Sequence, residues 1–143
     1  MGSRRQGREL ALQVLYQLDF QPDLGAQNAL SRFFSCFASE EDAEARAFTE
    51  RLVRGVAAQQ GLIDQHIGQA SRNWRLERMA RVDRNLLRMA VFELCFDEDV
   101  PPKVAINEAI EIAKRFGTQE TPAFVNGVLD RVLEGLEPRP EPG

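Results

Sequence analysis

Apolar residues in this chain recur at intervals of three and four and nowhere alternate, and that spacing confines the fold to helices. In the middle of the sequence Leu86, Leu87, Ala90, Val91 and Leu94 make an unbroken stripe along one side of a helix. This segment is expected to be the most buried. The same spacing gives a first helix from Ser3, its N-cap, to about Phe20, ended by Gln21, Pro22 and Asp23. A second helix covers 26 to about 38, with Leu30, Phe33, Phe34 and Phe37 on one side. A long third one begins in the acid-rich stretch at 39, where glutamates suit the positive end of the dipole, and runs to about 70. Gly55, Gly61 and Gly68 are its weak points. A short turn is expected over 74–80. Pro101 and Pro102 reset the chain, after which Ile106, Ala109, Ile110, Ala113 and Phe116 repeat the helical pattern up to a stop at Gly117. Thr121 is expected to cap a last helix that has Pro122 at its first position and Val125, Val128, Leu129, Val132 and Leu136 facing inward. The fold class is all-α, a compact bundle of about six or seven helices.

A chain of 143 residues can bury a core without disulfide or metal staples. A single helical domain is expected over 1–137, followed by a flexible proline-rich tail over 138–143. Cys36 and Cys95 lie in apolar runs with no second cysteine or histidine at ligand spacing, and read as reduced, buried small hydrophobes of a cytoplasmic protein without a metal. No export signal or membrane-spanning run is indicated. His66 has no nucleophile in a signature turn near it, and no phosphate loop or metalloprotease motif occurs. Glu108 and Glu111, three apart, fit a solvated helix face better than acid–base chemistry. No catalytic residue and no cofactor are expected.

The net charge of −4 excludes a general nucleic-acid coat, so any such binding must come from a local patch. The chain nevertheless opens with Arg4, Arg5 and Arg8 and no acid before Glu9. On a helical wheel Leu10, Ala11, Val14, Leu15 and Leu18 form the core stripe, while Arg5, Arg8, Leu12 and Tyr16 gather on another face with Arg4 beside it. Guanidiniums followed by a ring suit single-stranded RNA, whose phosphates pair with the cations and whose splayed bases stack. Gln13 is included in this candidate set. The competing account is that Tyr16 packs under a neighbouring helix. A second basic run, Arg72, Arg75, Arg78, Arg81, Arg84 and Arg88, is opposed only by Glu77 and Asp83. Spacing by three spirals, so all six cannot share one face, although Arg81, Arg84 and Arg88 can. Arg88 interrupts an apolar segment and must emerge at the edge of the core, as an interface residue or a snorkelling one. Phe124 lies one turn from Gly127 at the margin of the last helix and suits either a base platform or the core. Glu93, Asp97, Glu98 and Asp99 form an acidic patch suited to a basic protein.

Three blocks, SRRQGRELALQVLYQ, LERMARVDRNLLRMAVFEL and PPKVAINEAIEIAKRFGTQETPAFVNGVLD, closely resemble the NusB family of bacterial transcription antitermination factors, in order and over essentially the whole chain. The resemblance implies two small helical subbundles and a non-catalytic role in binding boxA-type RNA of nascent ribosomal RNA transcripts. It implies as partners the ribosomal protein NusE of the small subunit and the RNA polymerase antitermination complex. A homodimer through the same faces is possible. By the same resemblance Arg4, Arg5 and Arg8 match an arginine-rich RNA-binding motif, Tyr16 a helix-one tyrosine, and Arg88 and Phe124 positions used near RNA. Glu120 remains in a loop, GTQET, where the family more commonly has two acids. Glu77 and Asp83 match positions that meet NusE. Gln6 and Gly7 depart from a tract that is often more basic, and a glycine in the first turn costs about 0.5 to 1 kcal/mol relative to alanine. The alternative is a helical protein-docking module that does not itself contact RNA.

Overall fold

The computed structural model describes residues 2–37, 43–72 and 75–136. Six α-helices follow one another: α1 Ser3–Phe20, α2 Ala26–Phe37, α3 Ala43–Ala70, α4 Arg81–Phe96, α5 Pro102–Phe116 and α6 Thr121–Gly135. Single 3₁₀ turns occupy Pro22–Leu24 and Leu76–Arg78, and no strand occurs among the described residues. Trp74, the proline-rich tail and the start expected for the third helix at 39 lie outside the described residues.

The central stripe behaves as its sequence demands. Every residue from 85 through 94 is buried, because α4 is packed by α1, α3, α5 and α6 together. Helix α1 lies along α3, α5 pairs with α6, and α2 covers α1 and α3. Phe34, Leu30, Leu52, Ile63, Ile67, Leu86, Leu87, Leu94, Ile112 and Leu129 are among the side chains closed off from water. Each contributes about 1.5 to 3 kcal/mol by leaving it.

Several local expectations are corrected by packing. Ser3 is the first residue inside α1, Gly2 holds the cap position, and no side chain caps that end. Thr121 does not cap α6. Its hydroxyl accepts the Thr118 N–H at 3.0 Å and donates to Asp83 at 2.8 Å, tying the start of α6 to α4. Gly117 does end α5, yet with φ of −94° it is not there for a left-handed turn. A Cβ at that position would lie 2.5 Å from the Thr121 side chain, so close approach is the reason. Cys36 is exposed and Cys95 only partly buried.

The glycines of α3 are not its weak points, since its one non-helical residue is Gln59. Gly55 faces the ring of Phe92, and a Cβ there would stand 2.3 Å from Cζ of that buried side chain. Gly55→Ala is therefore expected to cost about 1 to 3 kcal/mol through overpacking, read as a lower denaturation midpoint in urea. Gly7 has a similar purpose where α1 crosses α3. A Cβ on it would come within 3.0 Å of the Ala45 carbonyl and the Phe48 side chain, and the Thr49 hydroxyl reaches the Gly7 carbonyl at 3.0 Å. The apparent defect near the start of α1 is a point where α1 and α3 come into close contact.

Candidate nucleic-acid interface

Helix α1 carries its arginines into three different environments. Arg4 is exposed, with its guanidinium 5.7 Å from the centre of the Phe48 ring. Arg5, nearly half exposed, donates to both carboxylate oxygens of Glu108 on α5, at 3.0 and 2.6 Å. Arg8 is 3% exposed. It forms a two-bond fork with Glu93 of α4 at 3.0 and 2.8 Å, above the Phe48 ring at 5.0 Å. The expectation that Arg8 stands in solvent beside Arg5 and Tyr16 is overturned, because α3 and α4 close over that side of α1. Leu12, placed by the wheel on the same face, is likewise core at 2% exposure.

The two acids respond oppositely to their surroundings. Burial pushes the Glu93 carboxyl above its ordinary range, with the hydrogen bonds from Arg8 working against that push. Glu108 is held below its ordinary range, chiefly by its hydrogen bonds from Arg5. Glu108 thus does not belong to a plain solvated face. The acidic patch expected to meet a basic protein is also reduced: Glu93 and Asp97 are buried, Asp97 pairing with Arg51 of α3, which leaves Glu98 and Asp99 on the surface.

Arg88 is buried and committed. Its guanidinium donates to both oxygens of Asp64 at 2.8 and 2.9 Å and lies 3.5 Å from Asp19, which also accepts from Arg84 and Asn85. This network joins α1, α3 and α4, so Arg88 is not at an open edge; it shares Asp19 with Arg84, while Arg81 stays exposed. Phe124 is half-buried against the core, and Gly127 beside it is open, with Arg131 the nearest group a Cβ would meet, at 3.8 Å. Asp83 is partly buried and accepts from Thr121, whereas Glu77 is exposed on its 3₁₀ turn. Glu120 is exposed in the connection between α5 and α6.

One part of the expected surface does come together. Tyr16 is 41% exposed and Gln13 is exposed beside it. Both line an open groove of about 480 Å³ with Leu12, Gln17, Phe33, Val82 and Phe116. Tyr16 lies eleven residues after Arg5, three helical turns and about 16 Å along the same side of α1. Glu9, one turn past Arg5 on that side, pairs with Arg115 at 2.8 Å. Arg115 escapes the sequence patterns because it belongs to α5 and reaches this face only through its side chain, across the fold to Glu9.

The NusB family model matches residues 5–134, which takes in nearly all of the described helices. The chain belongs to the NusB family. It is 54% identical over 139 residues to the transcription antitermination protein NusB of Anaeromyxobacter dehalogenans strain 2CP-1, covering 96% of each chain. To that of Myxococcus xanthus it is 49% identical over 137 residues, covering 95% of this chain and 98% of the relative. Among solved structures it resembles T. maritima NusB with a TM-score of 0.83 and 37% identity, over 94% of this chain and 93% of that one. A structure of NusB and NusE with double-stranded RNA matches with a TM-score of 0.84 at 24% identity, over 95% and 99% of the two chains, and shows the shared fold. No helix among the described residues is long and apolar enough to cross a membrane. Of the residues singled out in the sequence, Arg4, Arg5, Gln13 and Tyr16 are the ones exposed on α1, and Glu77 and Glu120 are exposed elsewhere.

Proposed function

We propose that this NusB-family chain is a non-catalytic, cytoplasmic transcription antitermination factor that binds boxA-type single-stranded RNA of nascent ribosomal RNA transcripts together with NusE, within an RNA polymerase antitermination complex. The observation that carries this is the side of α1 on which Arg4 and Arg5 lead to an exposed Tyr16 at the mouth of an open groove, in a chain whose net charge is negative. Phosphates run past the guanidiniums while a base stacks on the ring. Arg115 neutralises Glu9, the acid of α1 in that path. NusE extends the same surface from the side of Glu77. The residues proposed to meet RNA are Arg4, Arg5, Gln13, Tyr16, Glu120 and Phe124, and Arg8 and Arg88 act by holding α1 on α3 and α4.

A docking module without RNA contact is favoured by one observation, the pairing of Arg5 with Glu108. The two readings separate in a fluorescence titration of a boxA oligonucleotide, with and without NusE, over a range of salt. RNA binding that strengthens with NusE supports the first, and binding of NusE alone supports the second. Glu108→Gln is the informative variant. Freed of its carboxylate, Arg5 becomes available to a phosphate, so affinity is expected to rise a few-fold and the slope of log affinity against log salt to steepen by about 0.7. An unchanged slope would exclude Arg5 from the phosphate path.

A further inference from the structure

Past Tyr16 the exposed side of α1 does not end. Phe20, one turn on, is 54% exposed, more than any other large apolar side chain among the described residues. Its ring meets that of Tyr16 edge-on, with centroids 5.3 Å apart and planes at 62°. The guanidinium of Arg81, at the start of α4, lies 4.1 Å over its centre. On the other flank an open hollow of about 430 Å³ is lined by Phe20, Gln21, Pro22, Asp23, Leu24 and Arg32. An exposed phenylalanine gains little from water, and here it is held in a fixed pose by a neighbouring ring and a cation.

The charge around it is specific. Arg84 and Arg88 of the same basic run are consumed by Asp19 and Asp64. Arg72, Arg75, Arg78 and Arg81 are exposed and form no ion pair among the described residues, with Glu77 and Asp83 the acids nearby in sequence. Within this run the cationic charge left unpaired therefore collects in the α3–α4 connection, which Arg81 joins to the aromatic pair of α1. A polyanion with stackable bases complements that combination better than a protein does, since a protein partner would have to supply both carboxylates and an apolar group at one spot.

We propose that Phe20 with Arg81 forms a second base-stacking position, which takes the nucleotide next to the one on Tyr16 in the same RNA strand, with Arg81 and the arginines before it along its phosphates. This rests on the RNA-binding reading above and extends it by one site.

The test uses the full chain and a single-stranded RNA that contains boxA and continues for several nucleotides on both sides, with a photoreactive uridine analogue moved along it. The expected result is a crosslink to Phe20 from the position adjoining the one that links to Tyr16. Phe20→Ala is expected to lower affinity for this RNA about tenfold, and Phe20→Trp to retain it. Arg81→Ala is expected to reduce the salt slope by about 0.7. Helix content and melting midpoint, measured for each variant, stay at those of the parent because both side chains lie on the surface.

If Phe20→Ala and Arg81→Ala bind as the parent does while Tyr16→Ala is weakened, the second position is wrong and the RNA reading stands. If all three bind as the parent does, both fall. If Phe20→Ala weakens NusE binding and leaves RNA affinity of the isolated chain unchanged, the ridge is a protein face, and the proposal is overturned.

Discussion

Arg8→Ala is expected to destabilise the fold by about 3 to 5 kcal/mol, measured by urea denaturation followed by circular dichroism. The variant removes a guanidinium that is 3% exposed and leaves Glu93, 1% exposed, without the two hydrogen bonds it now receives. A buried charge that loses its counter-ion is among the most costly single changes a core can suffer. Replacing both partners by apolar residues of similar volume, Arg8→Met with Glu93→Leu, is expected to recover most of the loss. If Arg8→Ala were harmless to the fold and lowered only the salt slope for RNA, the buried pair would have been misjudged and Arg8 returned to the phosphate path.

The same pair predicts how the penalty varies with pH. Burial already raises the Glu93 pKa, and once Arg8 is gone the neighbouring Asp97 and Glu108 carboxylates push it in the same direction. An acid whose folded pKa is raised contributes its stability below the unfolded pKa and loses it as pH rises through the folded one. The cost of Arg8→Ala is therefore expected to grow with pH from the acid side towards neutrality, where protonated Glu93 gives way to a buried carboxylate without Arg8 beside it. Glu108 behaves in the opposite sense. Its lowered pKa contributes above the unfolded value and is lost as pH falls through the folded one, so Glu108→Gln removes stability near neutral pH and little in acid.

Arg8 also marks where the sequence stops being readable. Periodicity locates all six helices, because a repeat of three and four residues is a property of each segment by itself. The wheel of α1 then fails at Arg8 and Leu12, since it gives angles about one axis and says nothing of how many neighbours close over that axis. Helix α1 is covered by both α3 and α4, and the buried arc widens to take in Gly7, Arg8 and Leu12. The partners that neutralise Arg5, Arg8 and Arg88 are 103, 85 and 24 residues away, separations no local pattern encodes. An arginine inside an apolar run does signal that an acid must exist somewhere, which is the most the residues alone allow. Gly7 was misleading for a related reason: its penalty within α1 is visible in the sequence, and its benefit, close contact with Ala45 and Phe48, is visible only in the packed pair.

Arg4→Ala combined with Tyr16→Ala is expected to weaken boxA RNA binding by about 2 to 4 kcal/mol, roughly 30- to 1000-fold, with almost no change in stability. Tyr16 is 41% exposed and Arg4 forms no ion pair among the described residues, so removal of either leaves no buried group unsatisfied. Substitutions at such surface positions usually alter stability by less than about 0.5 kcal/mol. The two halves are separable by salt. Arg4→Ala alone lowers the slope of log affinity against log salt by about 0.7, whereas Tyr16→Ala alone lowers affinity at every salt concentration and leaves the slope where it was, because stacking releases no counter-ion. Equal affinity of the double variant and the parent would remove this side of α1 from RNA recognition. Arg8→Ala and this double variant thus make opposite demands on one helix: the side of α1 turned to α3 and α4 is measured in stability, and the side left open is measured in affinity.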